Sequence, residues 1–187
     1  MLNSIPEGDI GAAAIEGNVE ALQEYIKKKG DINKCFWRNQ TLLHLASSYG
    51  HEQEIAYLLL VGAQPDLKDI DDNTSLHLAA RYASVGCLKK LLNAHAELDA
   101  KNGEGQTPLL IAAWDGKSEM VGFLIAAGAD VTVQTKEQKS ACEVAKIKGY
   151  GHVAAEFDKA ARHIIEMIDA HELPRELAKL VITYLGF

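Results

Sequence analysis

The sequence is poor in proline and cysteine, with four prolines and three cysteines among 187 residues. So few prolines, together with glycines that are scattered rather than periodic, exclude a collagen-like or low-complexity chain. Cys35, Cys87 and Cys142 are an odd number and lack the spacing of a metal site. They indicate reduced thiols in a cytoplasmic protein and argue against a disulfide framework.

Excess positive charge and long apolar runs are also missing. The 19 basic side chains are outnumbered by 26 acidic ones, and the net charge of −7 argues against binding to nucleic acid. No run approaches the roughly 18 apolar residues of a transmembrane helix. Residues 1–9 contain no basic region followed by an apolar stretch, so we expect no signal peptide. These absences predict a cytoplasmic protein that binds neither nucleic acid nor membrane.

The motifs of common enzyme classes do not occur either. The chain has no glycine-rich phosphate loop, no nucleophile elbow, no paired metal ligands and no cysteine placed near a base. We therefore expect a protein without catalytic activity, without a cofactor and without a metal ion.

The sequence does contain a six-residue motif that recurs at a period of 33 residues. Pairs of Leu or Ile at 58–59, 91–92 and 124–125 keep the same spacing. A period of this length is typical of arrays in which each unit stacks on the next. The copies of the motif read Thr-Leu-Leu-His-Leu-Ala at 41–46, Thr-Ser-Leu-His-Leu-Ala at 74–79, Thr-Pro-Leu-Leu-Ile-Ala at 107–112 and, more faintly, Ser-Ala-Cys-Glu-Val-Ala at 140–145.

This pattern resembles the ankyrin repeat over roughly residues 8–157. The resemblance implies an all-α fold, namely a solenoid of about five 33-residue helix–turn–helix units with β-hairpin-like fingers, plus extra C-terminal helices. The first and fifth units depart from the motif and are interpreted as caps, which such arrays need. The implied divisions are an N-terminal capping repeat at 1–40, ankyrin repeats at 41–73, 74–106 and 107–139, a degenerate capping repeat with an extended second helix at 140–172, and a C-terminal helix at 173–187.

The motif also predicts how the first helix of each unit begins. A threonine hydroxyl can cap a helix, and Pro or Leu follows at the first helical position. His44 and His77 could be catalytic bases or ligands. In ankyrin repeats this histidine is structural and ties the loop backbone together, and we adopt that interpretation.

Residues that depart from the ankyrin pattern at finger tips and at the ends of the first helices are candidates for partner contact. Proteins of this family bind through these positions on the concave face, and Tyr, Trp and Arg are enriched in binding hot spots. We expect a protein or peptide ligand there, and a monomeric chain. The alternative is that one or two of these side chains pack against neighbouring fingers. The candidates are Phe36, Trp37, Arg38 and Ile70 at the tips, and Tyr49, Arg81, Tyr82, Trp114 and Asp115 at the helix ends.

Residues 173–187 begin Leu-Pro-Arg-Glu-Leu and carry a wide apolar stripe. The segment resembles the opening helix of an F-box, and in particular the F-box-like PRANC tail of poxviral and bacterial ankyrin proteins. In that family the helix recruits the Skp-type adaptor of a cullin–RING ubiquitin ligase, which implies a substrate receptor, and an effector acting in host cytosol. The alternative is a helix that folds back and caps the last repeat. By resemblance, the residues facing the adaptor are Leu173, Pro174, Leu177, Val181 and Leu185.

Overall fold

The structure is a computed structural model that describes residues 10–169. These residues form ten α-helices and no β-strand. The all-α class expected from the repeat pattern is thereby confirmed. The chain divides into two compact units, the first reaching Glu104 and the second starting at Gly105. Within the described range, no helix is both long and apolar enough to cross a membrane.

The first unit contains three consecutive pairs of short helices. They are α1 (Ile10–Glu16) and α2 (Val19–Lys27), α3 (Leu42–Tyr49) and α4 (Glu52–Leu60), and α5 (Ser75–Tyr82) and α6 (Val85–Asn93). The two helices of each pair pack on each other. In addition, α3 packs on α1 and α5, and α4 packs on α2 and α6. The first helices of the pairs therefore form one row and the second helices another.

The second unit contains two pairs of helices. They are α7 (Pro108–Trp114) with α8 (Ser118–Ala126), and α9 (Ala141–Ile147) with α10 (Gly151–Asp169). Besides the contacts within the pairs, α7 packs on α9 and α8 packs on α10. Helix α10 has 19 residues, whereas α8 has nine.

The motif threonines begin the first helices as predicted. The hydroxyl of Thr41 accepts a hydrogen bond from the backbone N–H of His44 at 3.4 Å, and the N–H of Thr41 donates to Nδ1 of His44 at 3.1 Å. Thr74 and Thr107 are the N-cap residues of α5 and α7. At α9 a serine takes over this position. Because each cap satisfies backbone groups that a helix end leaves open, the same local chemistry starts every copy.

The leucines of the second series form the buried side of the second helices. Leu58, Leu91 and Leu124 are completely buried. Burying one such side chain contributes roughly 1.5–3 kcal/mol to stability. The periodic leucines are thus core residues, and they leave the loops and helix ends as the variable surface.

The loops between the pairs are turns rather than paired strands. In the first finger (residues 34–40) the N–H of Phe36 donates to the carbonyl of Gln40 at 2.8 Å, and the second finger (68–73) closes with an equivalent bond from Asp69 to Asn73 at 2.9 Å. Over residues 10–169, β-type pairing is limited to one isolated bridge between Gln134 and Ser140. The expected β-hairpin-like fingers are therefore tight turns, because one closing bond is too short a ladder to form strands.

Candidate protein-binding surface

The tip of the first finger is held in an unusual backbone conformation. Trp37–Asn39 form one turn of 3-10 helix, within which Arg38 has a φ of 55° and Asn39 a φ of 58°. Residues other than glycine rarely adopt a left-handed backbone conformation, and each one that does so costs about 1–2 kcal/mol. The left-handed backbone of Asn39 recurs at Asp72, Gly105 and Gln138, each one repeat length further on, so Arg38 is the residue that departs from the other fingers and needs surrounding contacts to hold it.

Those contacts come from the second finger. The backbone N–H of Ile70 donates to the carbonyl of Arg38 at 2.9 Å. The side-chain amide of Asn39 donates to the carbonyl of Lys68 at 2.8 Å. The guanidinium of Arg38 forms a salt bridge with the carboxylate of Asp71. We call these three contacts the finger clamp. They fix both the backbone and the side chain of the residue that follows Trp37.

The finger clamp presents two large apolar side chains to solvent. Trp37 is 77% exposed and Ile70 is 63% exposed. The Arg38 guanidinium carbon lies 5.4 Å from the centre of the Trp37 ring, within cation–π range. Trp37 and Ile70 occupy the same position of successive fingers, and the next residue in this register is Gly103. The first two fingers thus form an apolar tip pair that the third finger does not continue.

The helix-end candidates of the first unit are exposed to different extents. Tyr49 and Tyr82, the last residues of α3 and α5, are exposed, and these two helices pack on each other. Arg81 is half-buried, with its guanidinium carbon 6.0 Å from the centre of the Tyr82 ring. Phe36, by contrast, is half-buried. The first unit therefore adds two accessible tyrosines to the tip pair.

The remaining candidates belong to the second unit. Trp114 is 43% exposed, and the Lys148 ammonium lies only 3.7 Å from the centre of its ring. Asp115 is half-buried. The exposed fraction of Trp114 is thus well below that of Trp37, so this indole offers less free surface. The role of Trp114 and Asp115 in contacting a partner stays a prediction.

The motif histidines are structural, and the buried His77 accepts from the N–H of Thr74 at 3.1 Å just as His44 does from Thr41. His44 is completely buried, and because its Nδ1 accepts from Thr41, its Nε2 carries the hydrogen that is donated to the carbonyl of Asn73 at 3.1 Å. Burial lowers the pKa of His44 below its ordinary value and outweighs the opposite effect of the hydrogen bond to Asn73. A neutral imidazole with both nitrogens bonded to the backbone has no free atom for catalysis. Among the described residues there is also no cluster of His, Cys, Asp and Glu that could hold a metal ion.

The sequence interpretation missed several residues that shape this surface. Asn39, Asp71 and Lys148 were not candidates, although they hold or cover the ones that were. A signal existed for one of them, because Asp71 stands 33 residues after Arg38, in the same register as the repeat itself. The predicted adaptor-binding residues Leu173, Pro174, Leu177, Val181 and Leu185 lie outside the described residues.

Comparison with known families agrees with the helix pairs. A family model for ankyrin repeats in three copies matches residues 10–102 and again residues 54–135, which together exceed half of the chain. The chain belongs to the ankyrin-repeat family. Ankyrin repeats are generally protein–protein interaction modules, and the family is typically non-catalytic. No curated protein matches this chain.

Proposed function

We propose that this chain is a non-catalytic protein-binding module whose main contact is the apolar tip pair, Trp37 and Ile70. The observation that carries this proposal is a strained and clamped turn that holds a tryptophan 77% exposed. Strained backbone concentrates at functional sites, and an exposed indole gains nothing for the fold. Tryptophan is among the residues most enriched in binding hot spots.

The shape of the tip indicates the kind of partner. Trp37 projects from a turn, so several of its sides can be buried only by a partner that has an apolar pocket. A folded protein can supply such a pocket, whereas an extended peptide cannot surround an indole. The finger clamp orders the tryptophan before binding and so lowers the entropy that association loses. Tyr49, Arg81 and Tyr82 would form the remainder of the contact surface.

The proposal is tested by identifying the partner and measuring its affinity for three forms of the chain. Proteins retained from a cell extract by the full chain are purified and titrated against the wild type, Trp37→Ala and Leu60→Ala. Leu60 is 83% exposed at the end of α4 and serves as the matched apolar control. We expect Trp37→Ala to raise Kd about 30-fold, equivalent to about 2 kcal/mol, and Leu60→Ala to leave it unchanged. A partner that binds all three forms equally well would refute the assignment.

We further propose that the chain contains five repeats with the divisions given above and acts as a monomer. The regular recurrence of helix pairs supports the count, and the departures at both ends support the capping roles. Sedimentation equilibrium should give a mass of 20.3 kDa. A dimer mass that disappears in Trp37→Ala would instead make the tip pair a self-association surface.

A second function rests on residues 173–187, whose sequence resembles an F-box-like helix. In this proposal the segment recruits a Skp-type ligase adaptor while the repeats hold the target, as a cytoplasmic effector in a host cell would do. The free cysteines Cys35, Cys87 and Cys142 are consistent with a reducing compartment.

Binding of purified Skp-type adaptor tests this second function directly. The full chain is compared with a Leu177→Asp, Leu185→Asp variant and with Lys179→Asp, which changes a charged residue of the same segment. Micromolar binding that only the double variant loses supports recruitment, provided that the free energy of unfolding of the double variant equals that of the wild type. Absence of binding, with the double variant destabilised, makes the segment a cap.

A further inference from the structure

Helix α4 contains a carboxyl group in the interior of the first unit. Glu54 is 0% exposed, and neither of its carboxyl oxygens has a hydrogen-bond partner among the described residues. A buried polar group without a partner normally costs about 1–3 kcal/mol, and a buried charge costs more. Such a residue is retained in a core only at a cost to stability.

The repeat register shows that Glu54 replaces an apolar residue. The same position of the following repeats holds Cys87, Met120 and Val153, all of which are buried. Helix α3, which packs on α4, carries a second replacement of this kind. Ser47 is buried with an unpartnered hydroxyl, at the position where Ala80 stands in the next repeat.

The helices around α4 provide no charge to compensate Glu54. In α2 the charged groups Glu20, Glu24 and Lys27 are exposed, and in α6 so are Lys89 and Lys90. The other titratable side chains of these two helices are Tyr25, which is half-buried, and Cys87, which is buried. The titratable groups of α3 are His44, which is bonded to Thr41 and Asn73, and the exposed Tyr49. In α4 itself, Glu52 is exposed and accepts a hydrogen bond from Ser84 at 2.6 Å.

We propose that Glu54 is a proton-operated stability switch in the core of the first unit. When protonated, the neutral carboxyl is tolerated in the core around α4. When the proton leaves, the unpaired charge destabilises α4 and the helices that pack on it, and the first unit opens more often. The inference concerns the fold alone and does not depend on the proposed function.

The direction of the effect follows from the two states of the chain. Burial raises the pKa of Glu54 from an ordinary value of 4.5 to about 8. The stability associated with the neutral form is complete below the unfolded pKa and is lost as pH rises toward the folded pKa. Linkage makes the unfolding constant grow about tenfold per unit between pH 5 and 7, and about fivefold from pH 7 to 8.

The switch is tested by urea unfolding of the full chain from pH 5.5 to 9. Glu54→Met introduces the residue type found at the equivalent Met120, Glu54→Gln keeps polarity without charge, and Glu104→Gln removes one exposed charge as a control. We expect both Glu54 variants to lose the steep part of the pH dependence and Glu54→Met to gain stability at every pH. Glu104→Gln should follow the wild type. Parallel curves for the wild type and both Glu54 variants would overturn the proposal.

A titration of the wild-type chain covers the case in which a variant fails to fold. The carboxyl carbon of Glu54, followed by NMR, should change its shift with a midpoint near pH 8. A midpoint in the ordinary range of glutamate, between pH 4 and 5, would overturn the proposal. Between pH 7 and 8.5, hydrogen exchange of the backbone amides in α3 and α4 should accelerate by more than the intrinsic exchange rate rises with pH. The amides of α7 and α8 should show only the intrinsic rise.

Discussion

The guanidinium of Arg38 and the carboxylate of Asp71 form a salt bridge between two neighbouring fingers, at positions one repeat length apart. Exposed ion pairs contribute little to stability by themselves. This pair acts together with two bonds to the left-handed residues Arg38 and Asn39, and its effect is to fix the direction of Trp37. The three contacts together therefore hold a strained turn in one conformation and keep its tip ordered.

Asn39→Gly should loosen the tip without unfolding the chain. Glycine relieves the left-handed strain but removes the amide that donates to the Lys68 carbonyl. In a Trp114→Phe background, where Trp37 is the remaining tryptophan, time-resolved fluorescence anisotropy should show faster motion of the indole. Gln138→Gly, at a left-handed residue of the second unit, is the matched control. An unchanged anisotropy decay in Asn39→Gly would contradict the role of the finger clamp.

Trp37→Ala should change the free energy of unfolding by no more than about 0.5 kcal/mol, because the side chain is already hydrated in the folded state. Leu91→Ala, which removes a completely buried side chain, should cost about 2–5 kcal/mol in the same urea experiment. A loss above about 2 kcal/mol for Trp37→Ala would mean that the indole belongs to the core.

His44→Gln should destabilise the chain by about 2 kcal/mol at pH 7.5, since glutamine cannot replace both hydrogen bonds of the buried ring. The pKa of His44 is lowered by burial, so its stabilising effect is present above pH 6.5 and declines as pH falls. The difference in the free energy of unfolding between the wild type and His44→Gln should therefore be smaller at pH 5.5 than at pH 7.5. His163→Gln, on the exposed surface of α10, should have no effect at either pH.

Gly17→Ala and Gly105→Ala should separate backbone strain from packing. Both glycines have nearly the same left-handed conformation, with φ of 73° and 76°. An added Cβ would meet open space at Gly105 but would lie 2.8 Å from the His51 ring at Gly17. Moving that ring breaks its bond to the Ile15 carbonyl, which measures 2.7 Å.

We expect a loss of about 1 kcal/mol for Gly105→Ala and about 2 kcal/mol for Gly17→Ala, measured as changes in the free energy of unfolding. Equal losses for the two glycines would mean that the His51 bond contributes nothing.

The repeat register made most of the fold predictable, because the residues that recur at this period make the same local contacts in successive repeats. Thr41 starts a helix, His44 ties the loop to the next finger, and Leu58 fills the core, each through contacts within one repeat or to the next. The exposure of Trp37 was predictable for the same reason, since tips of turns are solvated.

The finger clamp and the buried carboxyl of Glu54 could be recognised only from the structure. The backbone of Arg38 is left-handed, whereas that of Asp71, at the equivalent position of the next repeat, is not, so the repeat register does not predict it. Lys148 reaches Trp114 from another repeat. Glu54 has a pattern of its own, because it interrupts a column of apolar residues, but only its 0% exposure and unpartnered oxygens reveal that the carboxyl group is inside.

The bonds between successive repeats have a consequence for how the chain is made. His44 reaches Asn73, 29 positions along, and His51 reaches back 36 positions to Ile15. Such short separations give a low contact order and keep the entropy of loop closure small, which favours rapid folding. A helix pair that leaves the ribosome needs only its predecessor as a template, so folding can proceed from the N-terminus while synthesis continues.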